Sequence, residues 1–195
     1  DGPHAPVTNR ILDSLEANGG RATFFMVGNR VTGKANKAAV TRMAALGCEV
    51  ANHTYEHKAI TKLGAEGIKS QLARANDSIR LAGGVSPVLM RPPGGAKSDA
   101  AMKTVGSMGM SAVLWSIDTL DWKTKNKQKT IDAVIGHVKD GDIVLMHDLY
   151  GTTADAAEVI IPKLKEMGFQ LVTVSELASY RGGIQPGKVY SRFRP

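Results

Sequence analysis

The feature that most constrains this chain is a rhythm. Short, nearly continuous apolar runs at residues 22–27, 48–51, 88–90, 112–117, 143–146 and 170–174 alternate with longer amphipathic stretches. Runs of that length, bounded by glycine or polar residues, read as strands buried on both faces. Between them, Val7, Ile11, Leu12 and Leu15 share one helical face, and Gly19-Gly20 follows as a stop. Residues 37–46, 65–82, 98–108, 130–139 and 153–167 repeat the pattern, stopped by Gly47, Gly83, Gly109, Gly141 and Gly168, and 177–180 reads as a last short helix. Pro162 is expected to kink the helix that contains it.

Repeated strand–helix units imply a parallel sheet, because each return to a parallel neighbour needs a crossover. The first helix has no strand ahead of it, so a strand preceding Asp1 is expected, which would bring the six visible strands to seven. The fold class is α/β. A barrel and an open doubly wound sheet both produce this alternation.

Composition narrows the function. With 195 residues, 43% hydrophobic and 22% charged, the chain reads as one domain over 1–195 that can bury a core, which excludes a disordered segment. No apolar run approaches the roughly 18 residues of a membrane-spanning helix. The single cysteine, Cys48, excludes an internal disulfide and a multi-cysteine zinc site. The net charge of +7 points to polyanionic surroundings, yet aromatics are only 5% of the chain, too few for a basic, aromatic-studded nucleic-acid face. No nucleic-acid partner is expected.

The polar residues least expected beside core strands fall on one rim. His53 and His57 follow 48–51, Arg91-Pro92-Pro93 follows 88–90, Asp118 and Asp121-Trp122 follow 112–117, and His147-Asp148 follows 143–146. Asp1 would follow the preceding strand. The carboxyl-terminal rim of parallel strands is where sites are built. An H-x3-H pair on one side of a helical turn suits a divalent ion. It needs a third ligand, for which Asp1 is the candidate, leaving positions open for water and substrate. His147 is a candidate general acid–base, and Asp118, Asp121 and Asp148 are candidate carboxylates to orient it. No Gly-x-Ser-x-Gly elbow exists and Cys48 lies inside a strand pattern, so a covalent nucleophile is disfavoured. Lys123, Lys125, Lys127 and Lys129 read as a solvated basic loop.

Taken in order, Asp1-Gly2-Pro3, His53-Thr54-Tyr55-Glu56-His57, Arg91-Pro92-Pro93, Asp118-Thr119-Leu120-Asp121-Trp122 and Leu145-Met146-His147 resemble the five motifs of the polysaccharide deacetylases. This is the NodB-homology fold of carbohydrate esterase family four. The stretch 116–126 is most similar to Gram-positive peptidoglycan N-acetylglucosamine deacetylases. The resemblance implies a distorted (β/α) barrel of seven or eight strands and an N-deacetylase holding a divalent metal, zinc above all, with cobalt as an alternative. It implies Asp1, His53 and His57 as metal ligands, His147 as general acid tuned by Asp121, and Arg91 as the residue that orients the general base. Gly94, Trp122, Leu145 and Tyr55 are the implied substrate contacts.

In the family the base is the first Asp of a T-F-D-D-G-P motif, which corresponds to the position immediately ahead of Asp1. The resemblance thus reads the chain as a domain truncated at its amino end. Gly94 stands where many members carry an aromatic residue. The implied substrate is peptidoglycan, with a chitin deacetylase or an acetylxylan esterase of the same fold as alternatives, and the implied location is extracellular or at the cell wall. A carbohydrate-binding relative lacking the base is the non-enzymatic alternative.

Overall fold

The computed structural model describes residues 1–194. It carries eight helices longer than a single 3-10 turn among seven short strands, in the order α1 (Ala5–Ala17), β1 (Thr23–Met26), α2 (Gly33–Ala45), β2 (Glu49–Asn52), α3 (Ala65–Gly83), β3 (Leu89–Met90), α4 (Asp99–Ser107) and β4 (Ser111–Val113). There follow β5 (Ile117–Asp118), α5 (Asp121–Thr124), α6 (Lys127–Val134), β6 (Val144–Leu145), α7 (Gly151–Glu166), α8 (Val174–Ser179) and β7 (Val189–Tyr190). Strands β1-β2-β3-β4-β7 form one parallel sheet, and β5 pairs with β6 in a second, also parallel.

The sheet is apolar on both faces, as its continuous runs require. Phe24, Met26 and Val50 pack with Leu12, Leu15, Val40, Met43 and Ile79 of the covering helices. The alternate residues Phe25, Ala51, Leu89 and Val113 point the other way, toward Ile143, Val174 and Phe193. Period-two alternation thus splits each run between two cores.

Two expected strands need correction. The run 112–117 does not form one strand. After β4 the chain changes partner: the Leu114 amide still donates to Tyr190 O, but the Ser116 and Ile117 amides donate to Ile143 O. Ser116 Oγ also bonds Asp142, which fixes the bend. The run 170–174 is not a strand, because its backbone is claimed by other groups. Thr173 Oγ1 caps α8 by accepting from Glu176 N, and Val174 N donates to the Thr23 hydroxyl. The last strand of the large sheet is instead β7, which the pattern does not announce.

Helix α7 runs through Pro162 from Gly151 to Glu166. The carbonyl that loses its partner belongs to Glu158, on the exposed side, while Ile160, Ile161 and Leu164 anchor the helix in the core. Helix α6 stops at Val134, short of the expected 139. No described helix is long and apolar enough to cross a membrane. The strands are parallel as the alternation requires, and a distorted barrel fits them, although the ladders form two separate sheets.

Candidate metal centre and acid–base pair

Asp1 lies along the outer edge of β1, with its amino group donating to Phe25 O at 2.9 Å and the Gly2 carbonyl accepting from Val27 N at 2.9 Å. That places its carboxylate at the rim beyond β2, where His53 and His57 arrive. Asp1 Oδ1 is 2.8 Å from His53 Nε2 and 3.2 Å from His57 Nε2, and one ligand atom from each of the three residues lies within 4.8 Å of the others.

The loop that delivers the histidines is not the helical turn expected from their spacing. Thr54 and His57 both adopt left-handed backbone, with φ of 64° and 57°. The amides that a helix would have used are taken elsewhere: Thr54 N donates to Asn52 Oδ1, and Tyr55 N and Glu56 N donate to Gln71 Oε1. Asn52 is anchored in turn on Leu72 O and Asn76. The imidazoles meet edge to face at 4.8 Å.

The donor set fits a divalent cation. His53 Nδ1 is 2.6 Å from Arg91 O, a carbonyl that only accepts, so Nδ1 carries the proton. Burial, first among several causes, holds the His53 ring well below its ordinary pKa and lowers His57 as well. A neutral His53 therefore turns the lone pair of Nε2 toward a carboxylate oxygen 2.8 Å away. Two acceptors so close require a positive charge between or beside them. Metal–ligand bonds of about 2.0–2.2 Å put neighbouring ligand atoms roughly 3–4 Å apart, and the 2.8 and 3.2 Å separations here lie at or just under that range.

Opposite this cluster, β5 and β6 hold the second half of the site. Buried Asp121 opens α5. Its Oδ1 is 2.7 Å from His147 Nδ1, and its Oδ2 accepts from both His147 N and Thr153 Oγ1 at 2.7 Å. Desolvation alone would raise the Asp121 pKa. The His147 ring, the Thr153 hydroxyl and the His147 amide outweigh it and hold the carboxylate below its ordinary value. Of the three candidate carboxylates, only Asp121 pairs with His147. Asp148 accepts from Thr8 Oγ1 at 2.6 Å, and Asp118 accepts from Leu120 N.

Both halves open into one cavity of about 760 Å³, lined by Asp1, His53, His57, Arg91, Gly94, Trp122, Leu145 and His147 among others. Inward it continues between β1 and β6 past Phe24 and Ile160. Gly94 sits in a left-handed turn at φ 62°, and a Cβ there would meet nothing within 4 Å, so the wall an aromatic would form is open. Arg91 is buried; its Nε and Nη2 donate to Val113 O and Leu114 O, and its guanidinium lies 4.1 Å from the Phe25 ring centroid. Burial pushes it down to about 9, still charged at neutral pH. Tyr55, an expected substrate contact, is not among the residues that line this cavity. Its ring packs behind the loop against Gly28, with Arg74 stacked 3.8 Å above it. Three contributors went unread in the sequence. Trp115 and Tyr150 line the cavity, and Thr153 holds Asp121 from the first turn of α7.

Comparison with known proteins agrees with this geometry. The polysaccharide deacetylase family profile matches residues 1–113. The chain is 42% identical to the peptidoglycan-N-acetylmuramic acid deacetylase PdaC of Bacillus subtilis over 91% of its length, covering 37% of that protein. It is 35% identical to the peptidoglycan-N-acetylglucosamine deacetylase PgdA of Listeria monocytogenes over 97% of its length, covering 39% of that protein. Among solved structures, a family 4 acetyl xylan esterase from Clostridium thermocellum with a bound cobalt ion superposes with a TM-score of 0.91 at 30% identity, covering 100% of this chain and 96% of that one. The chain belongs to the polysaccharide deacetylase family. It spans roughly two-fifths of the two curated peptidoglycan deacetylases, from 37% to 39% of their lengths.

Proposed function

We propose that this protein is a metal-dependent hydrolase that removes N-acetyl groups from N-acetylglucosamine units of peptidoglycan, with zinc as its ion, acting outside the cell at the wall. One observation carries the reading. The Asp1–His53–His57 cluster and the Asp121–His147 pair, delivered by two different sheets, face a single cavity. The likeness to PdaC and PgdA supports the polymer, and the cobalt in the esterase supports a divalent metal. The basic surface suits an anionic wall.

Asp1, His53 and His57 would hold a divalent cation, which would supply Lewis-acid polarisation of the acetyl carbonyl and ease the loss of a proton from the attacking water. Trp122 and Leu145 give the acetyl methyl group an apolar wall. The Gly94 N–H is the donor assigned to the developing oxyanion. His147, its Nδ1 committed to Asp121, presents Nε2 to the cavity and passes a proton to the leaving nitrogen as the C–N bond breaks. Water supplies the hydroxyl of the acetate, and the sugar leaves as a free amine. Asp121 remains ionised and steadies the imidazolium. The motif resemblance assigns the general base to a carboxylate at the position before Asp1, and the test below supplies one.

The test measures acetate released by the zinc-loaded protein from peptidoglycan, a chitooligosaccharide and acetylated xylan, with and without an aspartate added ahead of Asp1. The added carboxylate should raise turnover about 10²–10⁴-fold, the range for a positioned base. His147→Ala should abolish release at unchanged zinc content. Turnover that survives His147→Ala refutes the acid assignment, and preference for xylan refutes the substrate.

A further inference from the structure

Helix α5 is a single turn held between two strained residues. Leu120 before it and Lys125 after it both adopt left-handed backbone, at φ/ψ of 52°/26° and 44°/42°. Residues with a Cβ avoid that region, and where they keep it the strain clusters at ligand clamps and active sites. The first of the two delivers Asp121 to His147. The second does something the mechanism above does not use: it swings the Lys125 ammonium over the ring of Tyr150, 5.0 Å from its centroid. Tyr150 lines the same cavity as Trp122 and His147.

Lys125 is thus a cation held on an aromatic face at the cavity mouth, within the range of such contacts. Among the described residues it has no carboxylate within 4.0 Å, and neither do Lys123, Lys127 or Lys129 beside it. A solvated loop would not hold a lysine in strained backbone with its ammonium on a cavity-lining ring. An uncompensated charge so placed is poised for an anion carried by whatever occupies the cavity.

We propose that Lys125, held over Tyr150, is a specificity-determining residue that selects acetylated glycans bearing a carboxylate on the sugar adjoining the one deacetylated. The inference rests on the deacetylase reading of the same cavity and adds to it the feature that separates the candidate polymers. Peptidoglycan strands carry an ether-linked lactyl group on alternate sugars, a free carboxylate where the stem peptide has been removed and a neutral amide where it is attached, whereas chitin is uncharged. A lysine ammonium is a compact point charge that meets such a carboxylate without the bidentate geometry of arginine. Part of its rotamer freedom is already spent on Tyr150, so less is lost on binding.

The test is equilibrium binding to the zinc-loaded protein by titration calorimetry, with three saccharides of equal length. They are a neutral chitooligosaccharide, a peptidoglycan glycan stripped of its peptides, and the same glycan with stem peptides. Lys125→Ala should weaken the stripped glycan by about threefold and Lys125→Glu by about tenfold, and both losses should shrink in high salt. Binding of the neutral oligosaccharide should stay within about twofold, the scatter expected of a residue that does not touch it. Lys125→Arg should retain binding if charge is the determinant. An equal loss on the neutral sugar, no loss on any, or no binding of the stripped glycan by the unaltered protein overturns the proposal. A loss confined to the peptide-bearing glycan overturns it too, by moving the carboxylate off the sugar. Acetate release measured in parallel separates the two readings. Absence of release even with an aspartate added ahead of Asp1, with this binding pattern intact, sinks the deacetylase and leaves the recognition standing.

Discussion

Replacing Asp121 by Asn tests the acid–base half of the site with little change in shape. The native carboxylate serves three donors: the His147 ring through Oδ1, and the His147 amide and Thr153 hydroxyl through Oδ2, each at 2.7 Å. An Asn side chain has one acceptor. It satisfies the two donors at the Oδ2 position, and its NH2 then points at His147 Nδ1. That nitrogen must become an acceptor, so the ring proton moves to Nε2. Two neutral hydrogen bonds survive and one reverses, while a buried charge is removed. Exchanging charge-assisted bonds for neutral ones costs about 1–2 kcal/mol in total, or roughly 2–8 °C in melting temperature for a chain of this size.

Catalysis should fall much further. The imidazolium that delivers the proton loses its counter-charge, and general acid contributions are about 10²–10⁴-fold. The assay pairs acetate release with nitrogen-15 spectra that report which ring nitrogen is protonated, and with zinc content as a control. Turnover within about threefold of the unaltered protein, or a His147 ring still protonated at Nδ1, would refute the assigned pairing. The pH dependence has a definite sign. Asp121 is held below its ordinary pKa in the folded protein, so its stabilisation is complete above the unfolded carboxylate value near 4 and is lost as pH falls through the folded value. The stability gap between the protein and its Asp121→Asn variant should close as pH falls below about 4.

Other expectations follow from single contacts. His53→Ala or His57→Ala should abolish the rise in melting temperature that zinc produces, His53 being the more damaging because Arg91 O fixes its tautomer; a full zinc-induced rise in either variant would contradict the cluster. Thr153→Val removes the hydroxyl that serves Asp121 and should cost about 1–2 kcal/mol by urea denaturation, with a several-fold loss of turnover. Gly28→Ala should cost about 1–3 kcal/mol without touching the metal cluster directly, because a Cβ there comes within 2.7 Å of both Ala75 Cα and the Tyr55 ring. An unchanged denaturation midpoint would mean that the loop behind His57 is looser than its contacts imply.

How much of this was legible in the sequence depended on how local each signal was. The rim placement of His53, Arg91, Asp121 and His147 follows from where apolar runs end, and the structure keeps all four there. Residue pattern alone left Asp118, Asp121 and Asp148 open as partners of His147, and only the motif resemblance favoured Asp121; in the structure the Thr8 hydroxyl claims Asp148, the sequence neighbour, and the Leu120 amide claims Asp118. The histidine loop was misread as helical because spacing reports which residues can meet, whereas Asn52 and Gln71, which take its amides, lie outside the motif. Tyr55 is a substrate contact only by the motif resemblance, and the direction of its ring is set by the bare backbone of Gly28 and by Arg74. Strand β7 went unread because Val189 and Tyr190 make only two residues of apolar run, between Lys188 and Ser191.

The division of the strands into two sheets gives Arg91 a role beyond the one its motif implies. The metal cluster belongs to the sheet of β1 and β2, and the acid–base pair belongs to the sheet of β5 and β6. A reaction that needs both requires their separation to be fixed. The guanidinium donates to Val113 O and Leu114 O, where the chain leaves the first sheet for the second, while the carbonyl of the same residue receives His53 Nδ1. Backbone and side chain of one residue thus tie the more deeply buried metal ligand to the bend that sets the position of β5 and, through it, Asp121. The buried charge is costly, as its lowered pKa records, and the two carbonyls and the face of Phe25 offset that cost only in part. A neutral residue of similar size would relieve the burial cost and release the bend. The charge is therefore explained by the position it enforces between the two halves of the site, more than by any stability it adds.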